Sequence, residues 1–164
     1  MLFWFMLTRI LKLDRFRYRH LSLGEIQLCQ RVFANLIDYS QVKIMNHPYL
    51  PWQSINMLMA PEGYIHVRNR HYALDYSQQS LAYQALFIHE MTHVYQYQQG
   101  VHVLWHGALL QCAYFLSFRK YNPYAYQFKT QKNFWHYNIE QQGDIARDIF
   151  LGKIDNILLR DALH

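Results

Sequence analysis

The sequence is short of the residues that build disulfide scaffolds and disordered chains. It has only two cysteines, Cys29 and Cys112, which excludes a disulfide framework and a cysteine-based zinc knuckle. Each cysteine lies in an apolar, helix-like segment, where we expect a buried free thiol. Charged residues make up 16% of the 164 residues and hydrophobic residues 52%, which indicates one globular domain with its own core.

The N-terminal segment has neither the length of a membrane span nor the residue order of a signal peptide. Residues 1–20 read MLFWFMLTRILKLDRFRYRH, with the apolar residues first and the basic residues after them. A signal peptide has the reverse order, and a span needs about 20 apolar residues. We expect an amphipathic N-terminal extension over 1–20, a single domain over 21–164, and no transmembrane segment.

Acidic residues are fewer than basic ones, which gives a formal net charge of +5. The basic residues are spread along the chain, apart from two short groups at 15–20 and 68–70, and no DNA- or RNA-binding motif accompanies them. We therefore expect no nucleic-acid partner. The rival hypothesis of a basic nucleic-acid-binding protein would require salt-dependent retention of DNA.

Hydrophobic periodicity predicts an α+β fold that is mostly helical, with a small N-terminal β-sheet. Strands are predicted at 41–45, 64–68 and 71–76, the last two as a hairpin or as consecutive short strands. Ser22 and Glu25 form a capping box that begins the first helix. The predicted helices cover residues 23–38, 77–99, 108–118, 134–151 and 155–163.

The helix at 77–99 contains FIHEMTHVYQYQQG and therefore the spacing H-E-x-x-H. On a helix, His89 and His93 lie on one face and can bind the same metal ion. Zinc accepts imidazole nitrogens and takes three protein ligands in a catalytic site. Glu90 is the expected general base, because it follows the first histidine and lies beside the water of such a site. Apolar residues on nearly every face indicate that this helix is buried, where ionisable groups must be paired or bound to metal.

The third zinc ligand is expected from the helix at 134–151. Its segment YNIEQQGDIARDIF places Glu140 and Asp144 on one face, four residues apart. Glu140 is the predicted ligand, and Asp144 is the predicted acceptor for the second ring N–H of His89. Gly143 is unfavourable within a helix, and its presence is explained if this helix approaches the motif helix closely.

The sequence leaves other arrangements of the third ligand open. His102 or His106 would complete the site only if the chain turned back sharply after Gly100. Glu140 and Asp144 could also be surface acids of an amphipathic helix. A metzincin site is excluded, because that class needs a glycine and a histidine at positions 96 and 99, which are both glutamine here.

These motifs resemble those of the gluzincins, the thermolysin-like branch of zinc metallopeptidases, although the two motifs are farther apart here. In that family the second helix supplies a glutamate ligand, and the aspartate one turn later supports a histidine. The resemblance implies a zincin-like minimal metalloprotease domain that holds one Zn²⁺ on His89, His93 and Glu140, with Asp144 in support.

Residues 20–155 also resemble small bacterial zincin-like proteins, many of them Vgr-related and associated with type VI or Rhs secretion systems. The resemblance rests on LSLGEIQLCQRVFANLIDYSQVKI, MAPEGYIHV, FIHEMTHVYQYQQG and YNIEQQGD. It implies a bacterial effector with a secretion-system protein as partner, cytoplasmic before export and secreted by a signal-peptide-independent route. By analogy with zincins, GYIHV or HYALD would be the edge strand that pairs with a bound peptide.

The expected function is zinc-dependent hydrolysis of amide bonds in a protein or a peptidoglycan peptide. Glu90 would take a proton from the attacking water and pass it to the leaving amine, while a nearby donor stabilises the oxyanion. The candidates for that donor are His136, Tyr137, Tyr124 and Tyr126. The alternative from another class is a catalytically silent zincin fold that binds zinc and acts as a secretion-system adaptor or interaction module.

Overall fold

The computed structural model describes residues 17–51, 53–54 and 57–162, which form a three-stranded sheet and five α-helices. The strands are β1 (Tyr18–His20), β2 (Lys43–Met45) and β3 (Tyr64–His66). The helices are α1 (Leu23–Phe33), α2 (Leu81–Gln98), α3 (Val103–Leu116), α4 (Ile139–Phe150) and α5 (Ile157–Ala162). The predicted mixed fold, mostly helical with a small sheet near the N-terminus, is confirmed.

The sheet has the strand order β1-β2-β3, with β1 antiparallel and β3 parallel to the central strand. Ile44 at the middle of β2 lies opposite Ile65 of β3, and both side chains are fully buried. The sheet therefore contributes its apolar face to the same core that buries the helices.

The strand predicted at 64–68 is found as β3, but the strand predicted at 71–76 is wrong, and with it the hairpin. After β3 the chain forms single 3-10 turns at Asn69–His71 and Tyr76–Gln78, and the described residues between them form no strand. A two-residue hairpin turn needs positive φ at its central residues, and positions 69 and 70 do not adopt it.

A buried ion pair fixes β1 against α1. The guanidinium of Arg19 donates to both carboxylate oxygens of Glu25 at 2.7 Å and to the carbonyl of Ala73. Glu25 is fully buried and also accepts from the backbone N–H groups of Ser22 and Tyr76. The end of the predicted N-terminal extension is therefore an integral strand of the sheet.

The remaining part of that extension, residues 1–16, lies outside the described residues. Among the residues that are described, no helix has the length and apolar character needed to cross a membrane.

Several helix boundaries differ from the predicted ones. Helix α1 ends at Phe33, five residues early, because Ala34 takes a positive φ of 46°. Helix α4 begins at Ile139 after Asn138, which forms a capping box with Gln141, and the residues before it form a 3-10 turn. Helix α3 starts at Val103, earlier than predicted, and its Cys112 is exposed where we expected burial.

Helix α2 packs against α4 along most of its length, and this pair forms the centre of the core. The fully buried side chains Ile88 and Met91 of α2 meet Ile145 and Ala146 of α4 in one cluster. Gly143 permits the close approach, since a Cβ at this position would lie 2.6 Å from the Cε1 atom of the His89 ring. The same contact that forms the core therefore brings the two motif helices together.

Candidate metal centre

The structure brings His89, His93 and Glu140 together at the contact of α2 with α4. Their candidate ligand atoms all lie within 4.8 Å of one another. Oε2 of Glu140 is 3.5 Å from Nε2 of His89 and 3.8 Å from Nε2 of His93. Both histidines are buried, and their rings stand nearly perpendicular, 5.1 Å apart.

Both histidines direct their second ring nitrogen to an acceptor. Nδ1 of His89 donates to Oδ1 of Asp144 at 3.0 Å, and Nδ1 of His93 donates to Oε1 of Gln96 at 2.8 Å. A neutral imidazole whose Nδ1 carries the hydrogen has its lone pair on Nε2. Two imidazole nitrogens and one carboxylate oxygen thus converge, which is a donor set that suits Zn²⁺ with one coordination position left open.

Gln96 contacts the centre, and the sequence did not indicate this role for it. Its amide nitrogen donates to the carbonyl of Ile139 at 3.0 Å and to Oε1 of Gln142 at 2.8 Å, so only its oxygen can face His93. Gln142 in turn donates to the carbonyl of Tyr137. The one signal in the sequence is the i,i+3 spacing from His93 to Gln96.

Asp144 links the centre to Arg147, a second residue that the sequence reasoning did not single out. The guanidinium of Arg147 lies 2.6 Å from Oδ1 of Asp144, the same oxygen that accepts from His89. Burial lowers the pKa of His89, but hydrogen bonds with Asp144 and Glu140 outweigh it and raise that pKa to about 10. The surrounding carboxylates therefore favour a cation at this ring, whether a proton or a metal ion.

The pKa values of the two glutamates at the centre, Glu90 and Glu140, are shifted in opposite directions. Burial raises the pKa of Glu90, and its Oε2 is buried with no hydrogen-bond partner among the described residues. Burial also raises the pKa of Glu140, but the hydrogen bond with His89 and the charges of His93 and His89 outweigh it, so the net effect is a lowered pKa. Glu140 is thus held as an anion, as a ligand must be, whereas burial makes the carboxylate of Glu90 the more basic of the two.

The centre opens into a cleft of about 830 Å³ with mostly apolar walls. Segment 57–61 forms one wall, and residues of α2 and α3 form the others. The residues that line it include Met57, Leu58, Met59, Ala60, Pro61, Ala82, Leu86, Val103, Leu104, Gly107, Ala108 and Ile139.

Of the four candidate oxyanion donors, Tyr124 is the one that lines this cleft. Partial burial and the carboxylates of Glu140, Glu90 and Asp144 raise the pKa of Tyr124 to about 12, so its hydroxyl keeps its hydrogen.

The other three candidates point elsewhere. His136 is exposed in the 3-10 turn before α4. The hydroxyl of Tyr126 donates to Asp148, and the hydroxyl of Tyr137 accepts from the backbone of Lys129. The alternative third ligands, His102 and His106, are likewise exposed at the start of α3 and do not join the cluster.

The prediction that GYIHV or HYALD is the edge strand that pairs with a bound peptide is wrong. The outer edge of β3 is already paired, because the backbone N–H and C=O of His66 bond to Met59 at 2.7 and 3.2 Å. Residues 71–75 form no strand. It is the segment 58–60, between β3 and the cleft, that borders the metal centre.

Comparison with known proteins identifies the relatives of this chain. No family model matches it. It is 48% identical over 136 residues to the type VI secretion system spike protein VgrG2b of Pseudomonas aeruginosa, a match that covers 82% of this chain and 13% of that protein. The chain thus spans a small part of that relative's length.

A solved structure, the effector domain of Pseudomonas aeruginosa VgrG2b, matches the fold with a TM-score of 0.76 and 45% sequence identity. This match covers 88% of our chain and 82% of the solved one. The protein therefore belongs to the family of the VgrG2b effector domain.

Proposed function

We propose that this protein is a zinc-dependent metallopeptidase of the gluzincin type, with a zincin-like fold, that acts as a secretion-system effector. One observation carries the proposal: the ligand atoms of His89, His93 and Glu140 converge within 4.8 Å of one another, in the cleft that Glu90 also lines, and Oε2 of Glu90 has no hydrogen-bond partner among the described residues. A structural zinc site is closed by four protein ligands, whereas three ligands and a neighbouring base are typical of hydrolytic sites.

Zinc held by His89, His93 and Glu140 would supply Lewis acidity, which activates a water and polarises the substrate carbonyl. Asp144 and Gln96 orient the two imidazoles, because each accepts the ring N–H that faces away from the site. Gly143 leaves space for the His89 ring, since a side chain there would overlap it. The protein scaffold thus holds the donor set in a fixed geometry.

Glu90 acts as the general base in this proposal. Burial raises its pKa, which favours acceptance of a proton, and its Oε2 has no hydrogen-bond partner among the described residues. It takes the proton of the attacking water and then gives it to the leaving amine. Tyr124 remains protonated and can donate a hydrogen bond to the oxyanion that develops on the carbonyl.

The cleft supports a peptide substrate with apolar side chains near the cleaved bond, because its walls carry leucine, methionine and isoleucine. The segment 58–60 is the backbone along which such a peptide would lie. The substrate in this proposal is a protein or the peptide of peptidoglycan.

Delivery by a secretion system is supported by the similarity to VgrG2b. That protein is a type VI secretion system spike protein, and the solved structure is its effector domain. We propose that our chain is likewise exported without a signal peptide, reaches its target as an effector, and contacts proteins of the secretion apparatus.

The test compares the wild-type chain with Glu90→Gln and with Glu62→Gln, whose glutamate is exposed and outside the cleft. Zinc content is measured by mass spectrometry, and cleavage is measured on a library of peptides and muropeptides. We expect equal zinc in all three and loss of cleavage only in Glu90→Gln, by at least about a hundredfold.

Two results would contradict the proposal. Cleavage that persists in Glu90→Gln would remove the general-base role. A wild-type chain that binds zinc but cleaves no substrate, while it pulls down a secretion-system component, would instead favour the catalytically silent adaptor.

A further inference from the structure

Helix α3 is apolar, uncharged and mostly exposed. Its sequence, VLWHGALLQCAYFL, contains no Asp, Glu, Lys or Arg, and of its residues only Val103 is buried. Trp105 is 67% exposed, Leu116 is 81% exposed and Phe118, just beyond the helix, is 88% exposed. A contiguous exposed apolar surface of this kind marks a site of contact with a partner or a membrane.

Residues of α3 line two cavities. One side of α3 forms a wall of the cleft, and the other side lines a second cavity of about 560 Å³ through His106, Leu109, Leu110 and Ala113. The residues from Phe115 to Phe118, at and just beyond the C-terminal end of α3, line neither cavity. We call the exposed side chains of Phe115, Leu116 and Phe118 the apolar tip.

The backbone at the apolar tip has an unfavourable conformation that presents Phe118 outward. Helices α2 and α4 end in left-handed residues that are both glycine, Gly100 and Gly152. Helix α3 ends in the same hydrogen-bonded motif, but the left-handed position is occupied by Phe118, with a φ of 52°. A bulky side chain is disfavoured there, which indicates that the phenyl ring serves something other than stability of the fold.

The charged residues that flank the tip along the sequence are all basic. Residues 91–139 contain no Asp or Glu and carry four Lys or Arg. Two of them, Arg119 and Lys120, follow the apolar tip directly and are exposed, and Tyr121 comes next. Aromatic and aliphatic side chains flanked by cations are the pattern of segments that bind the surface of anionic membranes.

We propose that the apolar tip inserts into the interfacial region of an anionic phospholipid bilayer, with Arg119 and Lys120 at the lipid headgroups. A second copy of this chain fits the surface less well, because a symmetric pair packed tip to tip would bring Arg119 and Lys120 of both copies together. The proposed docking does not depend on catalysis. Since α3 is also a wall of the cleft, docking would place the cleft close to the membrane surface.

The experiment is sedimentation of the full chain with lipid vesicles. One set of vesicles is pure phosphatidylcholine, and the other contains equal parts of phosphatidylcholine and phosphatidylglycerol. We expect binding to the anionic set, and at least about a tenfold weaker partition for the double variant Leu116→Ser/Phe118→Ser, because two large apolar side chains no longer enter the bilayer.

The matched control is Leu23→Ser/Leu74→Ser, which removes two leucines of comparable exposure from elsewhere on the surface and should partition as the wild type does.

A second variant, Arg119→Glu/Lys120→Glu, should lose the preference for anionic vesicles. Circular dichroism of each variant verifies that it is folded. In about 1 M salt, where exposed charges are screened, the wild type should retain part of its binding through the apolar tip.

Three outcomes would overturn the proposal. The wild type does not sediment with anionic vesicles, or Leu116→Ser/Phe118→Ser sediments as well as the wild type does. In the third outcome, light scattering shows a dimer of the wild type that only Leu116→Ser/Phe118→Ser abolishes. The last outcome would assign the apolar tip to contact between two copies of the chain.

Discussion

Oε1 of Gln96 lies 2.8 Å from Nδ1 of His93, three residues before it on the same helix. The amide nitrogen of Gln96 is fully used by the carbonyl of Ile139 and by Oε1 of Gln142, both on α4. The orientation of the His93 ring is therefore set by the packing of α2 against α4, and not by α2 alone. Gln96 is a positioning residue for the proposed metal centre.

Substitution Gln96→Met should weaken zinc binding by about 10- to 100-fold, because His93 loses the acceptor that fixes its ring. It should also lower the free energy of unfolding by about 1–3 kcal/mol, since the buried carbonyl of Ile139 and Oε1 of Gln142 lose their donor. Zinc affinity is measured by competition with a fluorescent chelator. Gln99→Met, at an exposed position one residue beyond α2, is the control and should change neither quantity. An unaltered zinc affinity in Gln96→Met would show that Gln96 does not position the ring.

Helix α4 approaches the His89 ring so closely that residue 143 has no space for a side chain. In Gly143→Ala the added Cβ would lie 2.6 to 2.8 Å from three atoms of that ring, so the ring or the helix must move. We expect a loss of about 1–3 kcal/mol in the free energy of unfolding and weaker zinc binding.

Gly107→Ala on α3 is the matched control for this effect. Its Cβ would meet only the Cδ1 atom of Ile139, at an ordinary 3.8 Å, so alanine should stabilise that helix by up to about 1 kcal/mol. The two glycine substitutions should therefore change stability in opposite directions in urea unfolding. A stabilised Gly143→Ala would mean that the helices do not need this close approach.

The sequence anticipated the parts of the centre that depend on helical periodicity. His89 and His93 are four residues apart on one helix, as are Glu140 and Asp144, so each pair must share a face wherever its helix lies. The sequence did not anticipate the link from Gln96 to Gln142, because that contact depends on how two helices separated in the chain by α3 and a loop pack together. The placement of Met59 along β3 was missed for the same reason, since strand pairing is set by tertiary contacts.

Tyr124→Phe separates catalysis from metal binding. If the hydroxyl stabilises the oxyanion, its removal should lower kcat by about 10²- to 10³-fold and leave zinc content unchanged. Tyr64→Phe, on β3 and away from the cleft, removes a comparable hydroxyl and should keep full activity. Steady-state kinetics on a cleaved peptide measure both variants. A Tyr124→Phe enzyme with normal kcat would assign the oxyanion to another donor.

Phe118, just beyond α3, should lower the stability of the fold and strengthen membrane binding. Phe118 occupies the left-handed position of a helix-ending motif in which its N–H bonds to the carbonyl of Phe115 and the N–H of Arg119 bonds to that of Tyr114. Phe118→Gly should raise the free energy of unfolding by about 1 kcal/mol, because glycine adopts this conformation without steric cost. The same substitution should weaken sedimentation with anionic vesicles.

The reverse substitution is the control for that prediction. Gly152 occupies the equivalent position after α4, with a φ of 68° and no atom within 4 Å of its would-be Cβ, so Gly152→Ala introduces backbone strain alone. It should lower stability by about 1 kcal/mol and leave vesicle binding as it is in the wild type. If Phe118→Gly were destabilising, the phenyl ring would be making contacts that stabilise the fold. The ring would then not be free to enter a membrane, so a gain of stability together with a loss of vesicle binding is the result that separates the two roles.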